Sequence, residues 1–416
     1  MKASEVFTPG KLPSVTFVDD QLQEKKQSLL NALEMGAAVI SLSGPSKSGK
    51  TVFIEKILGK DKLLQVTGAG IDSSKKLWDR VLDLIGAPVS TKKTDKKGFQ
   101  GTASGKTSAS VDFVVGAKAE VGVSGGWSDD QSKTDEFSPD YLQLLIRELG
   151  GKDFVVFIDD FHYIPKAVQV EISNQIKEAI GKGVRFICAA VPYRSDDVIR
   201  ANPDLRGRMV KIDFDYWDKE ELQKIAIRGF GALNITLTGA VIDALASEAA
   251  GSPQLMQALC LNACFEENIR ERQAQPTTIK PDLALIEKIC SKTAVMTDYS
   301  STVEKMKDGP RTSGQDRKQY ILLDDSISDV YRLILKAIAK NPPELTIRYN
   351  NLTDRIRSLC KSDVPSGSIV TGACAHMLAI ANDAENMVVG EWDTETDVLD
   401  IRDPYFLFYL RWAEPR

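Results

Sequence analysis

The spacing of apolar and polar residues changes period several times along this chain, and each change marks a predicted element. Gln21 to Met35 places Leu22, Leu29, Leu30 and Leu33 on one side of a helix. An apolar run from Ala37, AAVISLS, then reads as a strand, and TVFIEKIL, ending at Leu58, returns to helical spacing. Leu63 to Val66 predicts a short strand, and Ser73 to Ile85 a helix carrying Leu77, Trp78, Val81, Leu82 and Leu84. Tyr141 to Leu149 and Ala167 to Ile180 are helical in pattern. Phe154 to Ile158 (FVVFI) and Val184 to Val191 (VRFICAAV) are continuous apolar runs, as strands covered on both faces of a parallel sheet should be. Met209 to Phe214 supplies a further strand. Strands alternating with helices in this way predict an α/β core with a parallel sheet between helices.

From Asp218 the pattern is helical, in KEELQKIAIRGFGAL and then TGAVIDALASEAAGSPQLMQALCLNACFEENI. Gly251-Ser252-Pro253 divides the second stretch, and Pro253 suits the first turn of the helix that follows. Pro276 to about Asp325 reads as a mixed-charge linker with some helix. Asp329 to Ala339, Asn351 to Cys360 and Gly367 to Ala381 then predict three helices, and Met387 to Asp403 a hairpin; that order predicts a winged helix. The closing stripe PYFLFYLRW is read as core packing. The expected organisation is a lead-in (1–20), an α/β core (21–215), a helical lid (216–290), a linker (291–325) and a winged-helix-like domain (326–416).

One segment interrupts the core. Between 89 and 137 the chain is rich in Gly, Ser, Thr and Lys, yet Val111, Phe113, Val115, Ala117, Ala119, Val121 and Val123 fall on alternate positions. Period two predicts a β-hairpin insertion bent at Gly116, with a surface loop as the alternative. Lys118 and Glu120 in mid-strand argue against insertion into a membrane.

Composition narrows the classes. At 416 residues, with 43% hydrophobic and 27% charged residues, the chain is ordinary for a soluble protein of two or three domains. A net charge of −5 argues against a protein dominated by nucleic-acid binding. Six scattered cysteines without a CxxC pair, and two histidines, His162 and His376, argue against a zinc site. Free thiols, no signal-peptide core and no membrane-length apolar run lead us to expect a cytoplasmic protein.

The chemistry concentrates at two places. Gly44, Pro45, Ser46, Lys47, Ser48, Gly49, Lys50 and Thr51 spell G-x-x-x-x-G-K-T between an apolar strand and a helix, the context a phosphate-binding loop requires. The unpaired N–H groups of a helix N-terminus are ready donors to phosphate. Lys50 would reach the β- and γ-phosphates, and Thr51 would hold Mg²⁺ through its hydroxyl. FVVFI ends in Asp159-Asp160, so a buried strand delivers two carboxylates at its C-terminal end. Asp159 would complete the Mg²⁺ shell and Asp160 would polarise the attacking water. GTASGKT at 101–107 has the wrong glycine spacing and no strand before it, and reads as loop. His162 reads as a local hydrogen-bonding residue.

With these motifs in place, the chain resembles the AAA+ and STAND branches of the P-loop ATPases, over about 21–290 and more loosely at its end. VPYRSDDVI resembles the STAND sensor segment, which implies that Arg194 contacts the γ-phosphate. Gly251-Ser252-Pro253 is similar to the lid motif whose proline packs on the base, which would be Pro253. LRGRM resembles the segment carrying the AAA+ arginine finger and points to Arg206 or Arg208 acting on a neighbouring subunit; Arg200 lies close by. LDIRDPYFLFYLRW is similar to the C-terminal end of prokaryotic STAND-like ATPases. The second motif ends in Asp-Asp where ring AAA+ machines usually have Asp-Glu, and the lid lacks the usual arginine at Gly-Ser-Pro. Both departures favour a slow, nucleotide-gated switch over a motor.

The resemblance therefore implies an ATPase using ATP and Mg²⁺ that forms a homo-oligomer and acts on a protein partner or effector, with anti-phage defence or regulation as its setting. The alternatives are a DNA-handling AAA+ ATPase, such as a loader or transposition regulator, and a nucleotide-bound scaffold with little hydrolysis. DNA binding is not favoured: residues 344–416 hold seven basic and twelve acidic side chains, and GSIVTGACAHMLAIA, where a reading helix would sit, has no Lys or Arg.

Overall fold

The computed structural model describes residues 1–36, 38–45, 47–87, 140–190, 203–205, 207–280, 283–311, 316–385, 388–394 and 396–413. Its centre is a five-stranded sheet of β1 (Val39–Ser43), β2 (Leu63–Thr67), β3 (Val155–Asp159), β4 (Arg185–Ala190) and β5 (Met209–Asp213), in the order β2-β3-β4-β1-β5. All four pairings are parallel. The apolar runs of the sequence are the central strands: all five residues of β1 are buried, while edge strand β2 buries Leu64 and Val66 and exposes Gln65 and Thr67. A central strand has helices on both faces and an edge strand does not, which is why the run gives way to alternation.

Successive strand residues face opposite sides, so the sheet feeds two cores. Val156, Ile158, Phe186 and Cys188 pack with the helices Ser74–Leu84, Tyr141–Leu149 and Lys166–Ile180. Val155, Phe157, Ile187 and Ile212 pack on the other side with the helices Gln23–Met35 and Lys50–Leu58, through Leu29, Phe53 and Ile54. Each such fully buried side chain contributes about 1.5–3 kcal/mol. In Gln23–Met35 only part of the expected stripe is used: Leu29 is buried, but Leu30 is 39% exposed.

A third core joins the rest. It contains the helices Lys219–Ala232, Gly239–Glu248, Pro253–Glu266 and Leu283–Ala294, the stretch expected to form the lid and hereafter called the lid, and nearly all the described C-terminal elements. Asp218 starts the lid with a reciprocal cap, its carboxylate accepting from the Glu221 N–H at 2.7 Å while that of Glu221 accepts from the Asp218 N–H at 2.9 Å. The stretch read as a lead-in is built into this core through Ala3, Val6, Phe7 and Val18, with the Phe7 ring 4.9 Å from Phe230. The stretch read as a linker carries the helix Ser300–Asp308, whose Val303 and Met306 are fully buried.

C-terminal to it lie the helix Val330–Ile338, strand Thr346–Arg348, helices Tyr349–Arg357 and Gly367–Glu385, and strands Gly390–Asp393 and Val398–Ile401. Val398–Ile401 pairs antiparallel with both other strands. The last helix, Pro404–Trp412, is apolar all round and buried from Pro404 to Arg411, as a helix without a polar face must be. Arg411 binds Glu248 of the lid at 2.7 and 3.0 Å, so the C-terminal elements and the lid are tied by a buried ion pair as well as by a shared core. All six cysteines are buried free thiols, and among the described residues no helix is long and apolar enough to cross a membrane.

Candidate functional site

β1 ends at Ser43, and the loop from Gly44 to Gly49 turns its chain into the helix Lys50–Leu58. Two glycines make the turn. A side chain at Gly44 would meet the Phe214 Cβ at 2.6 Å and its carbonyl oxygen at 2.8 Å, so this position admits no Cβ. Gly49 caps the helix at φ 95°, in the left-handed region that favours glycine. The loop thus delivers its backbone and the side chains of Lys50 and Thr51 to the C-terminal edge of the sheet, beside the end of β3.

There the two halves of the site meet. The Thr51 hydroxyl donates to Asp159 Oδ2 at 2.7 Å, and the Asp160 N–H donates to Asp159 Oδ1 at 3.0 Å. Lys50 Nζ donates to the Gly44 and Pro45 carbonyls at 2.8 and 2.7 Å. Ser48 is buried and its hydroxyl finds no partner among the described residues. A loop with an unpaired buried hydroxyl, a desolvated ammonium and a hydroxyl–carboxylate pair fits a phosphate with a divalent cation. Thr51 and Asp159 are the residues that would hold that cation. Among the described residues no group of three or more His, Cys, Asp or Glu forms a separate metal site.

Electrostatics follow from burial. Desolvation pushes the Lys50 ammonium down to about 8, against the opposing pull of the Asp159 and Asp160 carboxylates. Desolvation raises Asp159, reinforced by neighbouring Asp160 and opposed by the Thr51 hydrogen bond and by Lys50. Asp160 is also raised by desolvation, with Lys50 acting against it. Asp160 holds φ 54°, a left-handed conformation that costs a non-glycine residue of order 1 kcal/mol.

These groups line a cavity of about 800 Å³. Its walls come from three places. The phosphate loop and β3 supply the polar end, the lid supplies Trp217, Ile225, Pro253 and Gln257, and the N-terminal stretch supplies Leu12, Pro13, Phe17 and Val18. Pro253 stands beside the loop, 3.9 Å from where a side chain on Gly49 would project. Trp217 donates its indole N–H to the Ser48 carbonyl at 3.1 Å. His162 lines the same cavity and stacks near Tyr163.

The structure thus brings Gly44, Pro45, Lys47, Ser48, Gly49, Lys50, Thr51, Asp159, Asp160 and Pro253 around one space. Ser46, Arg194, Arg200, Arg206 and the 89–137 insertion lie outside the described residues. Arg208 is exposed at the start of β5, where its carbonyl accepts from the Val39 N–H. The β1–β5 register runs from Val39–Met209 to Ser43–Asp213, so Arg208 sits at the opposite end of the sheet from the phosphate loop. The apolar wall from residues 12–18 and the C-terminal residues Val388 and Arg402 were not foreseen. No motif marks them, because their role comes from tertiary packing alone.

No protein-family model matches the chain, and no curated protein matches it. Among solved structures it is similar to the Aeropyrum pernix ORC2 protein in its ADPNP–ADP complexes, with 12% identity over 98% of this chain and 96% of that one and a TM-score of 0.52. It also aligns with a Walker-type ATPase of Pyrococcus abyssi (14% identity, 95% and 96% covered, TM-score 0.49). A third alignment is with Cdc6p from Pyrobaculum aerophilum (14% identity, 99% and 97% covered, TM-score 0.44). The likeness to the ORC2 protein is one of fold, and with the parallel sheet and the loop it gives this α/β core the fold of a P-loop NTPase.

Proposed function

We propose that the chain is an ATP-binding and ATP-hydrolysing switch of the AAA+/STAND type. The observation that carries this reading is the convergence of Lys50, the Thr51–Asp159 pair and Asp160 at the polar end of one large cavity closed by a helical lid. ATP is the substrate, its base against Pro253 and the apolar wall and its phosphates on the 44–51 loop. Mg²⁺, when bound, neutralises phosphate charge and fixes the phosphate geometry. Lys50 and Ser48 bind the phosphates, and Asp160 takes the proton of the attacking water. Arg194 reads the γ-phosphate, and Arg206 or Arg208 acts on the site of a neighbouring subunit. The exposure of Arg208, away from its own loop, supports action in trans. An aspartate at position 160, shorter than the usual glutamate, favours slow turnover.

The described elements from 330 to 401 follow the helix–strand–helix–helix–strand–strand order of a winged helix. The module reads as a contact surface for protein, since the helix Gly367–Glu385 carries no Lys or Arg with which to neutralise DNA phosphates. Assembly with ATP, followed by regulation or activation of a partner in the cytoplasm of a prokaryote, is the role this supports, with anti-phage defence as one setting. Sedimentation with ADP and with a non-hydrolysable ATP analogue tests it. A larger particle is expected with the analogue, and a monomer in both would contradict the switch. Salt-sensitive DNA binding by the purified chain would favour a DNA-handling ATPase instead.

Proton linkage gives a second test. Lys50 ordinarily titrates near 10.5 and sits near 8 in the folded chain. Below about 8 both states carry the proton, and its burial is a constant cost to the fold; between about 8 and 10.5 only the unfolded chain keeps it, so this group adds stability as pH rises through that window. Bound phosphate favours the charged form and reverses the shift. Calorimetric titration at about pH 8.5, in two buffers of different ionisation enthalpy, is expected to show proton uptake on ATP binding, with affinity falling as pH rises further. Binding without proton uptake would place Lys50 away from the phosphates.

A further inference from the structure

The phosphate loop holds a second lysine. Lys47 adopts φ 62°, a conformation that glycine takes freely and a lysine does not. Its side chain does not point to bulk solvent. Nζ donates to both carboxylate oxygens of Asp403, at 2.8 and 2.9 Å, and lies 4.4 Å from the centre of the Tyr405 ring. Asp403 is fully buried and also accepts from the Tyr299 hydroxyl at 2.6 Å and the Tyr405 N–H at 2.9 Å. The phosphate loop is therefore clasped by the residue that caps the last helix of the chain, 356 residues away in sequence.

The clasp spans two bodies. Lys47 belongs to the α/β core, whose two faces have their own hydrophobic cores. Tyr405 and Tyr299 belong to the core that the C-terminal elements share with the lid. Asp403 is therefore packed with the lid, and its ion pair with Lys47 bridges the lid core and the phosphate loop. Lys47 and Arg402 both line the nucleotide cavity, so Lys47 is within the space a phosphate would enter.

We propose that Lys47–Asp403 is a latch that holds the lid and C-terminal domain shut on the phosphate loop, and that a triphosphate in the loop releases it by drawing Lys47 away. This rests on the reading of the cavity as an ATP site. A carboxylate this deeply buried is stable only while paired, because an unpaired buried charge is strongly destabilising. When Lys47 turns to phosphate, Asp403 keeps the Tyr299 and Tyr405 hydrogen bonds but loses its counter-charge, and water taking the place of that charge favours an open cleft. The closed latch in turn sets a negative charge beside the loop and takes one positive charge from it, so the latch and the triphosphate oppose each other.

Hydrogen–deuterium exchange of the full chain tests this without nucleotide first. Peptides covering 44–52 and 399–412 are expected to exchange about tenfold faster in Lys47→Met and in Asp403→Asn than in wild type, and at the wild-type rate in Lys47→Arg, which keeps the ion pair. Asparagine preserves the helix cap, and should Asp403→Asn not fold, Lys47→Met decides, since the Lys47 side chain is 27% exposed. Wild-type rates in Lys47→Met would overturn the latch. Adding ATP to wild type is expected to speed exchange in the 399–412 peptide, whereas bound phosphate itself protects the 44–52 loop, and Asp403→Asn is expected to bind ATP about tenfold more tightly. ATP that binds by calorimetry but leaves the 399–412 peptide protected overturns the release. ATP that does not bind at all contradicts the proposed function instead, and the nucleotide-free comparison still decides whether the ion pair holds the cleft shut.

Discussion

Replacing Lys50 by alanine is expected to lower ATP affinity by about 100-fold or more. A charge-assisted hydrogen bond from a buried lysine contributes about 1.5–3 kcal/mol, and tenfold in affinity is about 1.4 kcal/mol. The present partners of Lys50 are neutral: it donates to the Gly44 and Pro45 carbonyls of its own loop, neither of which carries a net charge. Phosphate oxygens are stronger acceptors at the same place. The fold should survive the substitution. Burial already disfavours the Lys50 ammonium, so alanine removes a desolvation cost along with two hydrogen bonds. An unchanged thermal midpoint beside a lost calorimetric signal would show that the charge was what bound ATP. Wild-type affinity in Lys50→Ala would mean that the phosphates lie elsewhere.

Asp160→Asn is expected to leave ATP affinity within about threefold while lowering turnover by about 10²–10⁴, the range general-base catalysis contributes. The two aspartates are adjacent but differently used. Asp159 accepts from Thr51 and from the Asp160 N–H. Asp160 lines the cavity, is felt by the Lys50 ammonium, and holds a left-handed φ of 54°. Asparagine tolerates that conformation nearly as well as aspartate, so the backbone should hold and the loss should be chemical. Its carboxyl is raised by burial, which moves it toward the pH range where it can both take and return a proton. Single-turnover phosphate release separates the steps, and an Asp160→Asn variant that hydrolyses at the wild-type rate would remove Asp160 from the reaction.

Much of the α/β core was legible because its signals are local. A buried parallel strand needs an unbroken apolar run, and FVVFI and VRFICAAV supply it at β3 and β4. The phosphate loop was legible for a similar reason: the glycines, Lys50 and Thr51 must stand at fixed spacing within eight residues. What escaped the sequence was contact across long separations. Residues 3–18 show no period, yet Val6, Phe7 and Val18 fill the lid core and Phe17 lines the cavity. Asp403 could be recognised as a cap before Pro404, but a cap does not announce that it faces Lys47. The helix Ser300–Asp308 buries only Thr302, Val303 and Met306, too few apolar positions to stand out from a linker.

The proposed ATP site is one cavity, formed by the phosphate loop, the end of β3 and the lid. A crystal structure of the full chain with Mg²⁺ and a non-hydrolysable ATP analogue tests it most directly. The phosphates are expected within hydrogen-bond reach of Lys50 Nζ and the Ser48 hydroxyl, the cation between Thr51 and Asp159, and the base beside Pro253. An analogue seated elsewhere, with Lys50 still donating to the Gly44 and Pro45 carbonyls, would contradict it.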